Sequence, residues 1–237
     1  MTDLLQGFLS GSAAWGVLLT LAAFALGTLL NKATGKAIFN PLLLGSIFVI
    51  ILLSVLNIPY ADYKVSAAPV NYLLLPATIS LAIPLYEKWD LLKETAAAII
   101  AGISVGTLVS LGSALALALA LDLTREQYAT LLPMSVTTAF SMVGAAELGG
   151  SAALTGAIVI LTGIAGNLLA EVVCKIFHIT DPIAKGVGIG TSAHAVGTSK
   201  ALQMGEVEGA MSGLSIAVAG VLTAVRCPFF VSFIQLR

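Results

Sequence analysis

His194 is the residue with the widest chemical range in this sequence. It lies in the stretch Thr191-Ser-Ala-His-Ala-Val-Gly-Thr-Ser-Lys200, where no other ionisable group precedes Lys200. An imidazole there can bind a carboxylate, accept a coupled proton, or hold a broken helix together through a hydrogen bond. The hydroxyls of Thr191, Ser192, Thr198 and Ser199 flank it. With N–H groups exposed at glycine breaks, they suit an anion without a full positive charge. Lys200 either attracts an anion or lies at an interface with its ammonium turned outward. Arg226, in Ala-Val-Arg-Cys-Pro, has the same two readings, anion contact or interfacial anchor. A second hydroxyl-rich run holds Ser135, Thr137, Thr138 and Ser141 and leads to Glu147, either a proton or cation site or a boundary carboxylate.

Enzyme chemistry lacks its usual signatures, so the chain is expected not to be an enzyme. The glycine pattern of GVGIGTSAHAVG follows no strand and has no later acidic partner, as a nucleotide fingerprint would require. With two histidines, no HExxH and no paired-cysteine spacing, a metal site has no support. Cys174 and Cys227 lie in or beside apolar runs and read as small buried hydrophobes rather than a disulfide. Net charge is −1, which leaves no polybasic patch for nucleic acid.

The elements that must hold these residues are apolar. Charged residues are 10% of the chain and hydrophobic ones 58%, against about 25% charged in a soluble domain, so too few charges exist to cover a soluble surface. Uncharged intervals run over Leu4–Asn31, Ala37–Ala61, Val65–Tyr86, Thr95–Leu121, Gln127–Ala146, Leu148–Ala170, Gly186–Ser199 and Gly209–Val225. At least five reach the roughly 20 residues that a helix needs to cross the hydrocarbon core. They are continuously apolar rather than alternating, which excludes a barrel. The expected fold is all-α, a polytopic membrane protein of roughly eight to ten membrane segments with broken or re-entrant helices. No cleavable leader is expected, because the N-terminus lacks a basic region.

Three intervals do not read as plain spanning helices. Residues 65–86 contain Pro69, Pro76 and Pro84 with Asn71, Thr78 and Ser80. Residues 131–150 contain Pro133, the hydroxyl run and Gly149-Gly150. Residues 186–199 contain four glycines and His194. Proline removes a backbone donor and glycine weakens a helix. Such breaks persist at membrane depth only where protein or a polar cavity satisfies the freed groups, as in the discontinuous helices of transporters. The whole chain, 1–237, reads as one membrane domain, with two repeats of about 1–120 and 121–237 as an architectural expectation. Lys32, Lys36, Lys88 and Lys93 would share the cytoplasmic side, opposite Lys64 and Arg125. The spacings Gly102/Gly106, Gly186/Gly190 and Gly209/Gly213 permit close helix approach.

The sequence closely resembles the LrgB/CidB family over nearly its whole length. The resemblance is carried by NPLLLGSI from Asn40, LLPATISLAIPLY from Leu74, LPMSVTTAFSM from Leu132, VILTGIAGNLL from Val159, and above all the long block DPIAKGVGIGTSAHAVGTSKALQMGEVEGAMSG from Asp181. It implies a multi-pass bacterial inner-membrane protein that works with a small LrgA/CidA-like membrane partner. The implied activity is movement of small monocarboxylates such as pyruvate, glycolate or lactate, with H+ or Na+ as coupling ion and no other cofactor. The alternative it implies is holin/antiholin-like regulation of murein hydrolases and autolysis. It places the central signature on Thr191, Ser192, His194, Gly197 and Thr198, with Asn40, Pro41, Pro76, Thr78, Thr137 and Thr138 as companions. Relatives commonly have proline where Ala139 stands, arginine at Lys200 and an acidic residue at Gln203. Those departures bear on a local helix break and on ion coupling. A homodimer is compatible with the size and glycine content.

Overall fold

The computed structural model describes residues 14–34, 39, 41–73, 76, 79, 80 and 82–233. Among them every regular element is a helix. Four helices are long and apolar enough to cross a bilayer: α1 (Ala14–Thr34), α6 (Trp89–Ala120), α9 (Ala152–Ile176) and α11 (Glu206–Ser232). Their outward faces keep large apolar side chains, such as Val105 and Leu119 on α6 and Val221 and Phe229 on α11, as a surface that meets lipid requires. The protein is an all-α polytopic membrane protein.

The chain divides into two compact units, residues 1–80 and 81–237. In the first, α1 packs on α2 (Pro41–Val55), and two short helices follow, α3 (Tyr60–Ser66) and α4 (Ala68–Tyr72). Small residues make this approach close: a Cβ on Gly27 would stand 2.8 Å from the Pro41 carbonyl oxygen. Gly16 N donates to Ser66 Oγ at 2.7 Å, and the Thr20 and Tyr63 hydroxyls share a 2.8 Å hydrogen bond.

The second unit comprises α5 (Ala82–Glu87), α6, α7 (Arg125–Leu131), α8 (Thr138–Glu147), α9, α10 (Pro182–Met204) and α11. Helices α6 and α11 run parallel. Near their starts, Ile99 and Ile103 share a core with Ala210 and Met211, and Lys88 pairs with Glu206 at 3.3 Å. Near their ends, Leu111, Ala114 and Ala118 share another core with Cys227 and Val231. Pro228 lies inside α11.

Helix α10 is not a single rod. His194 has φ 42° and ψ −142°, and the helix doubles back there. The register shows the reversal. On the first leg, Gly186 meets Glu208 and Met211, and Gly190 meets Ser212. On the second, Thr198 bonds Ser212 at 2.7 Å and Leu202 meets Gly209. Both ends of α10 therefore lie against the same turn of α11, and Gly197 packs on Ile189 of the opposite leg. The legs, 182–193 and 195–204, are each about 15–18 Å long, half of a hydrocarbon core. This is a re-entrant helical hairpin with His194 at its tip. Asp181 caps its start, its carboxylate accepting from Ala184 N at 2.7 Å ahead of Pro182.

A second re-entrant element enters from the other end. Helix α7 starts at a capping box formed by Thr124 and Gln127 and sits on the core at the ends of α6 and α11. After Leu132, which still has helical dihedrals, residues 133–137 leave the helix, and α8 returns the chain to the level it left. Gly150 packs on Thr130, Ser151 N donates to Thr130 Oγ1 at 2.8 Å, and Thr155 Oγ1 donates to Thr130 O at 2.9 Å. The sequence expectation of broken or re-entrant segments is met at residues 131–150 and 186–199.

Candidate functional site

The tips of the two re-entrant elements approach each other between α6 and α9. First-leg residues Val187 and Thr191 face Gly102 and Gly106 of α6, so the Gly102/Gly106 spacing is what lets the hairpin in. Where the tips meet lies a cavity of about 350 Å³. Six hydroxyl side chains line it: Ser110 and Ser113 from α6, Ser135 from the 132–137 segment, Thr162 from α9, and Thr191 and Ser192 from the hairpin. No charged side chain does. Ser113, Thr162 and Ser192 donate to carbonyls of their own helices. Ser135 Oγ and Thr191 Oγ1, on residues 3% and 4% exposed, have no hydrogen-bond partner. A buried hydroxyl left unpaired costs about 1–3 kcal/mol, so this pair is an unmet hydrogen-bonding demand on two walls of one cavity.

His194 fixes the tip rather than lining this cavity. Its Nε2 lies 3.0 Å from Val159 O on α9. A carbonyl only accepts, so Nε2 carries the proton and donates. The ring is 2% exposed and sits over Gly163, where a Cβ would stand 2.6 Å from Cε1. Ala193 is seated on Gly166 in the same way. A non-glycine residue at this φ and ψ holds about 1–3 kcal/mol of backbone strain, which the surrounding contacts must offset.

Asn167 is the residue holding the re-entrant hairpin that sequence reasoning passed over. Its Nδ2 donates to Val196 O at 2.8 Å and Ser199 Oγ at 3.1 Å, and Ser199 Oγ donates to Val196 O at 2.7 Å. It clamps the second leg to α9 just past the break. A lone amide in an otherwise apolar spanning run was the available signal. Replacement by leucine, similar in size, removes both bonds. The expected loss is about 2–3 kcal/mol, read as a lower unfolding temperature in detergent. Asn167→Asp, which keeps the shape without donors, is expected to lose as much.

The remaining sequence-nominated residues separate. Thr198 is buried; its Oγ1 lies within hydrogen-bonding distance of both His194 O and Ser212 Oγ. Ser199 belongs to the Asn167 clamp. Lys200 pairs with Glu171 at 2.6 Å. Arg226 Nη1 donates to Ser104 O at 2.8 Å and to Thr107 Oγ1, tying α11 to α6 away from the cavity. Thr138 lies on the first turn of α8 beside Gly156. Thr137 and Glu147 line a different, larger cavity of about 570 Å³. Asn40 and Thr78 lie outside the described residues. Among the described residues no group of three or more His, Cys, Asp or Glu side chains could hold a metal ion.

Comparison with known proteins places this architecture. Residues 20–233 match the LrgB-like family. Proteins described as antiholin-like protein LrgB from Bacillus mycoides (strain KBAB4), Bacillus cereus (strain B4264) and Bacillus anthracis (strain CDC 684 / NRRL 3495) are each 35% identical over 221 residues, 93% of this chain and 96% of theirs. No solved structure matches. The family match covers both re-entrant elements, three of the long helices and most of α1, and the chain belongs to the LrgB-like family.

Proposed function

We propose that the chain is a secondary transporter of small monocarboxylates such as pyruvate, glycolate or lactate in the bacterial inner membrane, working with an LrgA/CidA-like small membrane protein. The observation that carries this reading is the pair Ser135 and Thr191, whose hydroxyls have no partner and which line one cavity from re-entrant elements entering at opposite ends of the bundle. Two half-helix N-termini lie at this depth, α8 beginning at Thr137 and the second leg of α10 beginning after His194. Their dipoles favour negative charge, so an anion needs no lysine or arginine here. The cavity suits a molecule of a few heavy atoms, with hydroxyls for the carboxylate and Val109 and Met134 for the remainder.

Uptake of labelled substrate into proteoliposomes under a proton or sodium gradient, with and without the small partner, tests it. Hydrogen bonds to a charged group contribute about 1.5–3 kcal/mol. Thr191→Val and Ser135→Ala are therefore each expected to raise KM by about tenfold or more. Absence of saturable uptake in every combination, from folded protein, would sink the transport reading. The relatives' antiholin-like names support a second reading, control of murein hydrolase release through the partner. Under that reading Thr191→Val leaves autolysis unchanged in cells that depend on this chain.

A further inference from the structure

The larger cavity has a definite position relative to the hydroxyl-lined one. It is lined by α8 from Thr137 to Leu148 and by Thr223, Ala224, Cys227 and Pro228 of α11. Cys227 belongs to the core at the ends of α6 and α11, so this cavity lies on the side from which α7 and α8 enter. The small cavity lies further along α6, between Gly102 and Ser113. One short segment walls both: Pro133 and Thr137 face the larger cavity, while Met134 and Ser135 face the smaller. Each cavity also has a buried hydroxyl without a partner, Thr223 on the large side and Ser135 on the small.

Residues 132–137 lie outside the helices that flank them, and one side chain ties them together. Ser141, 0% exposed, lies with its Oγ 2.7 Å from Pro133 O and 3.1 Å from Val136 O. A hydroxyl has one hydrogen to donate, so a single shared hydrogen bond closes both ends of the segment.

We infer that the larger cavity is the vestibule through which small carboxylates reach the hydroxyl-lined cavity from the α7–α8 side, that residues 132–137 are the barrier between the two, and that Ser141 is the positioning residue that keeps this barrier shut. This rests on the transport reading for its substrate, but the barrier itself is testable without transport. The walls of the vestibule are apolar and its one charged group, Glu147, is an exposed carboxylate at the end of α8. The space offers an anion no positively charged side chain that would retain it.

The test is thiol accessibility in sealed membrane vesicles of both orientations, with Cys174 and Cys227 replaced by serine. Ala224→Cys reports the vestibule and Ser110→Cys the small cavity. A charged, membrane-impermeant methanethiosulfonate is expected to modify Ala224→Cys from one face. From that face Ser110→Cys is expected to react slowly with Ser141 present, and about tenfold faster or more when Ser141→Ala is added. Ser141→Thr, which keeps the hydroxyl, is expected to restore the slow rate. An unchanged Ala224→Cys rate in the Ser141→Ala protein reports that the fold is intact. The inference is overturned if Ala224→Cys reacts only with a lipid-soluble maleimide. It is equally overturned if Ser110→Cys is already fast from the vestibule face, or if Ser141→Ala does not change it. Gated labelling in a protein that takes up no carboxylate would remove the transport reading and leave the barrier standing.

Discussion

Replacing His194 by alanine is expected to destabilise the protein by about 3–5 kcal/mol, and replacing it by glycine by about 1–2 kcal/mol less. The first figure follows from deleting a fully buried ring, which leaves a void over Gly163 that the rigid α9 backbone cannot fill, together with the hydrogen bond to Val159 O. The second follows from the backbone. At φ 42° and ψ −142° alanine keeps the strain that histidine carries, whereas glycine adopts that region without cost. Inside an ordinary helix the order is the reverse, alanine being favoured by about 1 kcal/mol. Thermal unfolding in detergent reads the sign directly. A glycine variant less stable than the alanine variant would mean that α10 is continuous at this point. Both variants are expected to lose most uptake, because the tip positions Thr191 and Ser192.

Gly190→Ala should disrupt the second unit by about 3 kcal/mol, the upper end of what an added methyl group costs in a packed interior. Its Cβ would collide with the carbonyl and Cα of Ser212. These are backbone atoms of α11, so neither helix yields by rotating a side chain. Ser212 also bonds Thr198 on the other leg, and pushing α11 away breaks the hairpin at both legs. Gly220→Ala, on the same α11, meets nothing within 4 Å and is expected to be neutral or to stabilise by up to about 1 kcal/mol. Comparing the unfolding temperatures of the two variants separates steric collision from helix propensity. Equal behaviour would contradict the close approach of α10 and α11.

Much of the fold was legible because the physics that shapes it is local. Runs of uncharged residues mark spanning helices, and Pro133 and the glycines around His194 mark the two breaks. The pairing of site residues was less legible, for a geometric reason. Within one helix a residue's face follows from counting, but the count is lost where the chain reverses. Thr191 and Ser192 precede the tip and face the cavity. Thr198 and Ser199 follow it and face Ser212 and Asn167 instead. The same loss of phase in 132–137 sends Ser135 to one cavity and Thr137 to the other. Arg226 presented as an ionic residue near the end of an apolar run. Its partners, Ser104 O and Thr107 Oγ1, lie on another helix that sequence spacing does not connect to it.

Pro228 has a consequence for the solvation of the larger cavity. In a regular helix the N–H of residue 228 would satisfy the Ala224 carbonyl, and proline has none to offer. Ala224, Pro228 and Thr223, with its unpaired hydroxyl, all line that cavity. An acceptor and a hydroxyl one residue apart form a ready site for ordered water, and a lipid chain supplies neither donor nor acceptor. This wall, apolar over most of its area, therefore offers water one polar stripe beside α8 that a lipid chain cannot satisfy.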